Sequence, residues 1–554
     1  MDNLRLILFF TLAFLGLMIY QAWQQDYATP ARPATETTPM ATTTSDAASA
    51  GIPTAEVNAD VPAAQGALPQ TEKTAASSKG ELITVETDLF KLEISTIGGT
   101  VRRAYLLDYP LSLKEPDKKV ELLSPDATRF YIAQSGLIGS QKDKAPNHEA
   151  LFQAEKTSYS LAEGVDELDI PLHWQGADGV TVTKHLVLHR GSYLMDVRYE
   201  INNQSAESWA ARDYGQLQRT EPESKSSGFT TYTYTGGVIY NPTDKYDKIK
   251  FKEMAEKNLS IDSDHGWLAM IQHYFLSAWI PPKDQVEHYY SNALPGGKYL
   301  LGSYSPSFTV APNDQLTLSR QLYVGPKLQD KLAAIADGLE LTVDYGWLTV
   351  IAKPIFWLLE TIHDFVGNWG WSIIFLTLLI KAAFYKLSET SYKSMANMRK
   401  MTPRLQALRE RYGDDKQRLN QAMMEMYKKE KINPLGGCLP ILVQIPVFIS
   451  LYWVLLETVE MRMAPWMLWI HSLSDKDPYF ILPLIMGVSM FIQQKLNPAP
   501  PDPMQAKIMM MLPFVFTIFF AFFPAGLVLY WVVNNIVSIA QQWYITRKIE
   551  RMAG

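Results

Sequence analysis

The chain has 554 residues, 47% of them hydrophobic and only 19% charged, against about 25% charged in a typical soluble protein. A net charge of −6 argues against a dedicated nucleic-acid binder, and the single cysteine, Cys438, excludes an internal disulfide framework and any multi-cysteine metal site. Mean hydropathy is nevertheless −0.08, so a polar part offsets a strongly apolar one, and the composition points to a membrane protein with a large polar domain.

Residues 1–25 read as an N-terminal transmembrane anchor. No charge separates Arg5 from Asp26, and about 20 uncharged residues at about 1.5 Å each span roughly 30 Å of hydrocarbon. A cleaved signal peptide is the rival reading. Against it, no small-x-small cleavage site follows the run, and Trp23 suits an interfacial anchor. Residues 26–80 are rich in Ala, Thr, Pro and Ser; such a stretch buries too little surface to offset its chain entropy, which predicts a disordered tether.

From 81 to 326 the pattern turns to period two. Phe90, Leu92 and Ile94 alternate with Lys91, Glu93 and Ser95, and Tyr193, Met195, Val197, Tyr199 and Ile201 alternate with Leu194, Asp196, Arg198 and Glu200. These are half-buried strands. Turn signals recur at Gly98-Gly99, Asn202-Asn203, Gly236-Gly237 and Gly296-Gly297, so a large antiparallel β-sandwich is expected. Residues 327–364 form a linker and a helix whose apolar Trp347, Leu348, Ile351, Phe356, Trp357 and Leu359 are interrupted by Lys353, Pro354 and Glu360. An interfacial amphipathic helix fits that pattern better than a span.

The spans follow. Residues 365–385 form transmembrane helix 2, with 16 uncharged residues before Lys381. Residues 433–546 hold helices 3–6: uncharged runs at 433–456 and 478–494, then 39 uncharged residues at 508–546. The last run is too long for one helix and splits at Pro524-Ala525-Gly526 into two spans. With the anchor, six spans are expected. Between them, 386–432 reads as a helical hairpin, with Leu405, Leu408 and Tyr412 on one helix, Leu419, Met423 and Met426 on the other, and Gly413-Asp414-Asp415 as the turn. It is a self-contained basic pair or a Met-rich, adaptable surface for apolar clients or lipid. Residues 386–431 carry 12 Lys/Arg against 6 Asp/Glu, whereas 457–477 carries Arg462 and Lys476 against Glu457, Glu460, Asp475 and Asp477. The positive-inside rule then puts the first segment, both termini and the short basic tail 547–554 in the cytoplasm, and the β domain and the second segment outside.

Lys381 is the sharpest chemical feature. A lysine at membrane depth costs about 2.5–3.5 kcal/mol on insertion scales and usually faces a wet cavity; the alternative is a lysine that snorkels at the helix end, with Lys386 as the true boundary. Thr377 lies one turn earlier on the same face. Gln444, Asn534, Asn535 and Ser538 punctuate the other spans, either as helix–helix hydrogen bonds or as the lining of a hydrophilic cavity. No span holds Asp, Glu or His, which counts against an ion-coupled transporter and against intramembrane protease motifs. In the β domain, His185 and His189 share a strand face without an evident third ligand, so no metal site is expected. His273 and His288 are candidates for a sugar-type cleft.

At 366–550 the sequence resembles the YidC family of membrane protein insertases, and its anchor, tether and β domain are similar to the Gram-negative form of that family. The motifs that carry the resemblance are Gly367-Asn368-Trp369-Gly370, the span ending at Lys381, and Tyr412-Gly413-Asp414-Asp415-Lys416-Gln417-Arg418. To these are added Asn433-Pro434-Leu435-Gly436-Gly437-Cys438, Ala464-Pro465 through Trp469-Ile470-His471, Asp502-Pro503-Met504-Gln505 and Pro524-Ala525-Gly526-Leu527-Val528-Leu529-Tyr530-Trp531. The resemblance implies a polytopic α-helical protein of the bacterial inner membrane, six spans with both termini cytoplasmic, and a periplasmic antiparallel β-supersandwich similar to sugar mutarotases. It implies a non-enzymatic insertase and membrane chaperone without cofactors. Such a protein inserts and helps fold nascent membrane proteins, alone or with the Sec translocon, through a groove open to cytosol and lipid. The groove positions fall on Lys381, where the family usually has arginine, and on Thr377, Gln444 and Asn534. An apolar slide falls on Phe448, Met486, Phe519, Tyr530 and Trp531. Further partners implied are the lipid bilayer and, through the short tail, a weakly bound ribosome. A membrane-anchored periplasmic carbohydrate-binding or carbohydrate-active protein is the competing function; it explains the β domain and none of the C-terminal spans.

Overall fold

The structure is a computed structural model that describes residues 80–554 except 140–143, 223–232, 284, 414, 430–438, 498–502 and 554. The expected anchor and all but the last residue of the expected tether lie outside the described residues, as does Cys438. Two units emerge. The β unit runs to Asp344 and takes in the separate segment Glu457–Glu460; the helical unit comprises Tyr345–Leu456 and Met461–Gly554.

The β unit is a sandwich of an eleven-stranded and a nine-stranded sheet between Leu82 and Pro326. Pairing is antiparallel throughout except for Leu82–Glu86 beside Ser158–Ser160. The strand Leu194–Asn203 shows why the sheets face each other. Its side chains alternate across the pleat, so Met195, Val197, Tyr199 and Ile201 are at most 1% exposed, while hydrogen-bonded neighbours Val180–His189 and Asp314–Pro326 flank it. Two expected turns are instead strand ends. Asn202-Asn203 closes this strand, because the buried Asn203 amide donates to the carbonyls of Glu207 and Val310 at 2.8 and 3.0 Å. Gly236-Gly237 opens the strand Gly236–Asn241; a Cβ at Gly237 would lie 2.4 Å from Met254 on α1 (Phe251–Glu256), so the glycine serves close packing. Val459, from the separate segment, is also buried in this core.

Charge is buried between the sheets, as at Lys184 and Arg320. Lys184 shares the inward phase of Val180, Val182, Leu186 and Leu188, and its ammonium donates to the carbonyls of Gly98, Gly99 and Ser135 at 2.8, 3.2 and 3.3 Å. Burial pushes its pKa down to about 7 because desolvation disfavours the charged form. Elsewhere Arg320 donates twice to Asp213 Oδ2, at 2.7 and 2.5 Å, across the sheets. Glu287 lies at 3.6 Å from the same guanidinium. One cation thus faces two carboxylates, and burial pushes the Glu287 pKa up to about 7.

A short helix, α2 (Gln329–Ile335), leads out of the sandwich. The helical unit then contains α3 (Thr349–Val366), α4 (Trp369–Ala383), α5 (Tyr385–Tyr412), α6 (Lys416–Lys429), α7 (Leu439–Glu457), α8 (Ile481–Leu496), α9 (Pro503–Phe520) and α10 (Ala525–Ala553). Helix α3 keeps Pro354 inside it. It buries Ala352, Ile355, Phe356 and Leu359 and packs on α4, while Val350, Trp357 and Phe365 stay exposed. The long uncharged run divides as its Pro-Ala-Gly signal indicates, between Phe520 and Ala525. Helix α10 packs against α4, α5 and α8, and α9 packs against α8.

Among the described residues no single helix is both long and apolar enough to cross a membrane. The pair Trp369–Ala383 and Tyr385–Met398 meets that criterion together, bent by 66° at Phe384. Val443–Glu457, Ile481–Leu496 and Ala506–Phe520 are shorter apolar helices; at about 1.5 Å per residue they fall short of a roughly 30 Å core. In α10 the polar Asn534, Asn535, Gln541 and Gln542 dilute an otherwise apolar stretch. Helix length therefore does not by itself yield the six spans expected from the sequence.

Candidate functional site

The site is built on α4. Asn368 caps its N-terminus: the side-chain oxygen accepts from Trp371 N–H at 3.2 Å, and the amide donates to the carbonyls of Pro465 and Trp466 at 3.3 and 3.2 Å. Gly370 lets that loop approach, since a Cβ there would lie 2.1 Å from the Trp466 ring. Trp371, Phe375, Leu378 and Leu379 are exposed, whereas Ser372, Ile373, Leu376, Thr377 and Lys381 form the buried stripe. Lys381 thus sits at the inner face of the helix, one turn before the bend.

Its ammonium turns into the bundle. Lys381 is 3% exposed and donates to Ser538 Oγ on α10 at 2.7 Å; Lys386 is exposed. A snorkelling Lys381 would be exposed as Lys386 is. The Ser538 hydroxyl donates in turn to the Asn534 carbonyl at 2.7 Å, and the Tyr392 hydroxyl on α5 reaches the Ser538 carbonyl at 3.4 Å. One turn away on α10, the Asn535 amide donates to Ser489 Oγ on α8 at 3.0 Å, and Gln542 donates to the Leu496 carbonyl at 3.1 Å. Helix α10 is therefore a polar spine, with Ser538 toward α4 and α5 and Asn535 and Gln542 toward α8.

The other expected positions divide. Asn534 enters this chain through its carbonyl, with a half-buried side chain. Thr377 is buried, but its hydroxyl donates to the Ile373 carbonyl of its own helix at 2.7 Å. Gln444 is half-buried on α7, outside the chain of hydrogen bonds from Lys381. Among the slide residues, Phe448 lies on Tyr530 at 5.9 Å and against Trp531 at 4.5 Å, and Phe520 extends the cluster to Trp531 at 5.1 Å. Phe519 is 40% exposed and meets Phe520 and Phe523, whereas Met486 is fully buried. Tyr392, Ser489 and Gln542 are network members that the sequence did not single out, whereas Asn535 and Ser538 stood out as polar residues in apolar spans without being groove positions. For Ser538 the signal was its position four residues after Asn534 on one face.

The remaining candidates have other surroundings. An apolar hollow of about 280 Å³ is lined by Lys507, Ile508, Met511, Leu512 and Val515 of α9, none of them in the Lys381 network. In the β unit His185 pairs with Asp169 at 2.8 Å and His189 with Asp196 at 2.9 Å. His288 pairs with Asp262 at 2.7 Å, and His273 stacks on Tyr274. Among the described residues no group of three or more His, Cys, Asp or Glu has the arrangement of a metal site.

Two family models match the chain: "YidC periplasmic domain" over residues 82–358 and "60Kd inner membrane protein" over 361–552. The membrane protein insertase YidC of Methylococcus capsulatus is 54% identical over 564 aligned residues, covering 100% of this chain and 99% of the relative. The chain belongs to the YidC family of membrane protein insertases. The proteins of the same name from Thioalkalivibrio sulfidiphilus and Alkalilimnicola ehrlichii are each 51% identical, over 100% and 99% of this chain. The matched models meet within a few residues of one another, inside α3. YidC members are inner-membrane insertases that work without covalent catalysis.

Proposed function

We propose that this YidC-family chain inserts nascent membrane proteins by presenting Lys381 to the hydrophilic part of an incoming client. The observation that carries the reading is a lysine buried at 3% exposure on α4 with a neutral hydroxyl as its hydrogen-bond partner. In a partly wet site with an effective dielectric near 20, a carboxylate at about 4 Å is attracted by roughly 4 kcal/mol before desolvation. Thr377, Gln444 and Asn534 make the groove polar, and the client leaves along the aromatic path of Phe448, Met486, Phe519, Tyr530 and Trp531. The short helices α8 and α9 locally thin the bilayer and shorten the apolar path.

In this reading the chain has six spans, with the N-terminal segment as the first, both termini in the cytoplasm and the β unit in the periplasm. The basic excess of 386–431 over 457–477 supports that orientation. The Sec translocon is a partner for larger clients, the ribosome a weak one through the tail. Insertion of a small client into liposomes by the purified protein tests the core of the proposal. Lys381→Glu should abolish it at equal protein level, and full insertion by that variant would end the groove-charge reading. Labelling of a cysteine at Gln417 by an impermeant reagent from outside would overturn the orientation.

A further inference from the structure

We infer that Ser538 is a positioning residue for Lys381: its hydroxyl anchors the ammonium so that a client carboxylate meets a charge held in place. The inference rests on the proposed role of Lys381 and adds a residue to it.

The direction of the hydrogen bonds is fixed by donor chemistry. An ammonium only donates, so the 2.7 Å contact uses a lone pair of Ser538 Oγ. The hydroxyl proton is committed elsewhere, to the Asn534 carbonyl at 2.7 Å. The Tyr392 hydroxyl holds the Ser538 carbonyl, so α4, α5 and α10 converge on one residue at the 66° bend. The anchor takes one of the three ammonium donors, and the remaining two suit the two oxygens of a carboxylate.

The need for an anchor follows from the residue type. Lysine is a compact charge on a flexible four-carbon stem, whereas a guanidinium is a pre-organised fork that loses less freedom per hydrogen bond. Ordering a lysine stem costs the rotamer freedom of four carbons. A fixed acceptor bears that cost before the client arrives, which is the general benefit of pre-organisation. The class of ligand served is thus an acidic, hydrophilic peptide segment; a neutral polar segment gains little from a positioned cation.

The test uses the full-length protein in liposomes and two versions of one small client, one with Asp and Glu in its translocated segment and one with Asn and Gln in their place. Ser538→Val removes the hydroxyl at nearly the volume of Ser538→Thr, which keeps it. We expect Ser538→Val to slow insertion of the acidic client about ten- to a hundredfold, the loss of one hydrogen bond to a charged group. Ser538→Thr should insert both clients normally, and the neutral client should be indifferent to both variants. In a Lys381→Arg background the Ser538→Val defect should shrink, because the fork needs less anchoring. Equal slowing of both clients by Ser538→Val, without rescue in that background, would assign Ser538 to packing and overturn the inference. So would normal insertion of the acidic client by Ser538→Val while Lys381→Ala is impaired, an outcome that leaves the role of Lys381 standing. Normal insertion by Lys381→Ala itself would remove both.

Discussion

Each unit of this molecule buries a lysine, and the two are held differently. Lys184 in the β unit meets three backbone carbonyls, one for each ammonium donor. Lys381 in the helical unit meets one side-chain hydroxyl. The first arrangement commits every donor of the cation to backbone from the facing sheet, so it is a staple. The second keeps a charge inside the helical bundle with donors to spare, which has a stability cost and suits the proposed client-binding role.

That contrast is easiest to break at Lys381. Lys381→Glu should abolish growth when it replaces the wild-type protein in a depletion strain, while Lys381→Arg supports it and the thermal unfolding of the β unit is unchanged in both. Full growth with glutamate would make the two lysines equivalent. Next in size is Lys184→Met, expected to destabilise the β unit by about 1–3 kcal/mol for each carbonyl left unpaired. Tryptophan fluorescence during denaturant unfolding should register the loss, and liposome insertion by protein kept below its unfolding temperature should not. A variant that lost insertion at unchanged stability would show that Lys184 is more than a staple.

A smaller effect separates buried charge that is balanced from charge that is not. Glu287 has its pKa pushed up, to about 7 from an ordinary 4.5, so the folded state binds more protons than the unfolded one between those values. Its contribution to stability is fully present below pH 4.5 and is lost as pH rises toward 7. Glu287→Gln should flatten that fall in a pH series of unfolding midpoints, and an unchanged slope would mean that Arg320 balances both carboxylates. The smallest change expected is Ser489→Ala, which removes the Asn535 hydrogen bond between α8 and α10. Interhelical bonds of this kind are worth about 0.6 kcal/mol on average in membranes, so only a shift of a few degrees in bundle unfolding should follow.

How much of this was legible in the sequence follows from what period and depth can carry. The alternation at Met195, Val197, Tyr199 and Ile201 gave the strand and its inward face, and Pro524-Ala525-Gly526 gave the split between α9 and α10. Lys381 stood out because a charge after a long uncharged run is costly wherever it sits. Lys184 carried a weaker form of the same signal: it occupies the inward phase of Val182 and Leu186, and Arg320 likewise falls in phase with Leu318 and Leu322. Neither could be assigned a partner, because Gly98, Ser135 and Asp213 are far away in sequence and sheet register is not written locally. Which of Asn534 and Ser538 turns its side chain toward α4 was not legible for a similar reason. Both lie on one face of α10, and a rotation of the helix by a fraction of a turn decides which hydroxyl or amide reaches α4. Thr377 was read as lining a cavity, but its hydroxyl had a carbonyl of its own helix within reach, the usual fate of threonine in apolar helices.

The segment Glu457–Glu460 has a consequence for the order of synthesis. The ribosome finishes every strand of the β unit before it reaches α4, yet Val459, a member of that unit's core, is made only after α4, α5, α6 and α7. A domain that precedes the bundle in the chain thus receives its last core side chain from beyond five helices of the helical unit, α3 to α7. Its final consolidation is a late event of biogenesis, so a chain arrested before residue 457 should carry a β unit more open to protease than the completed protein does.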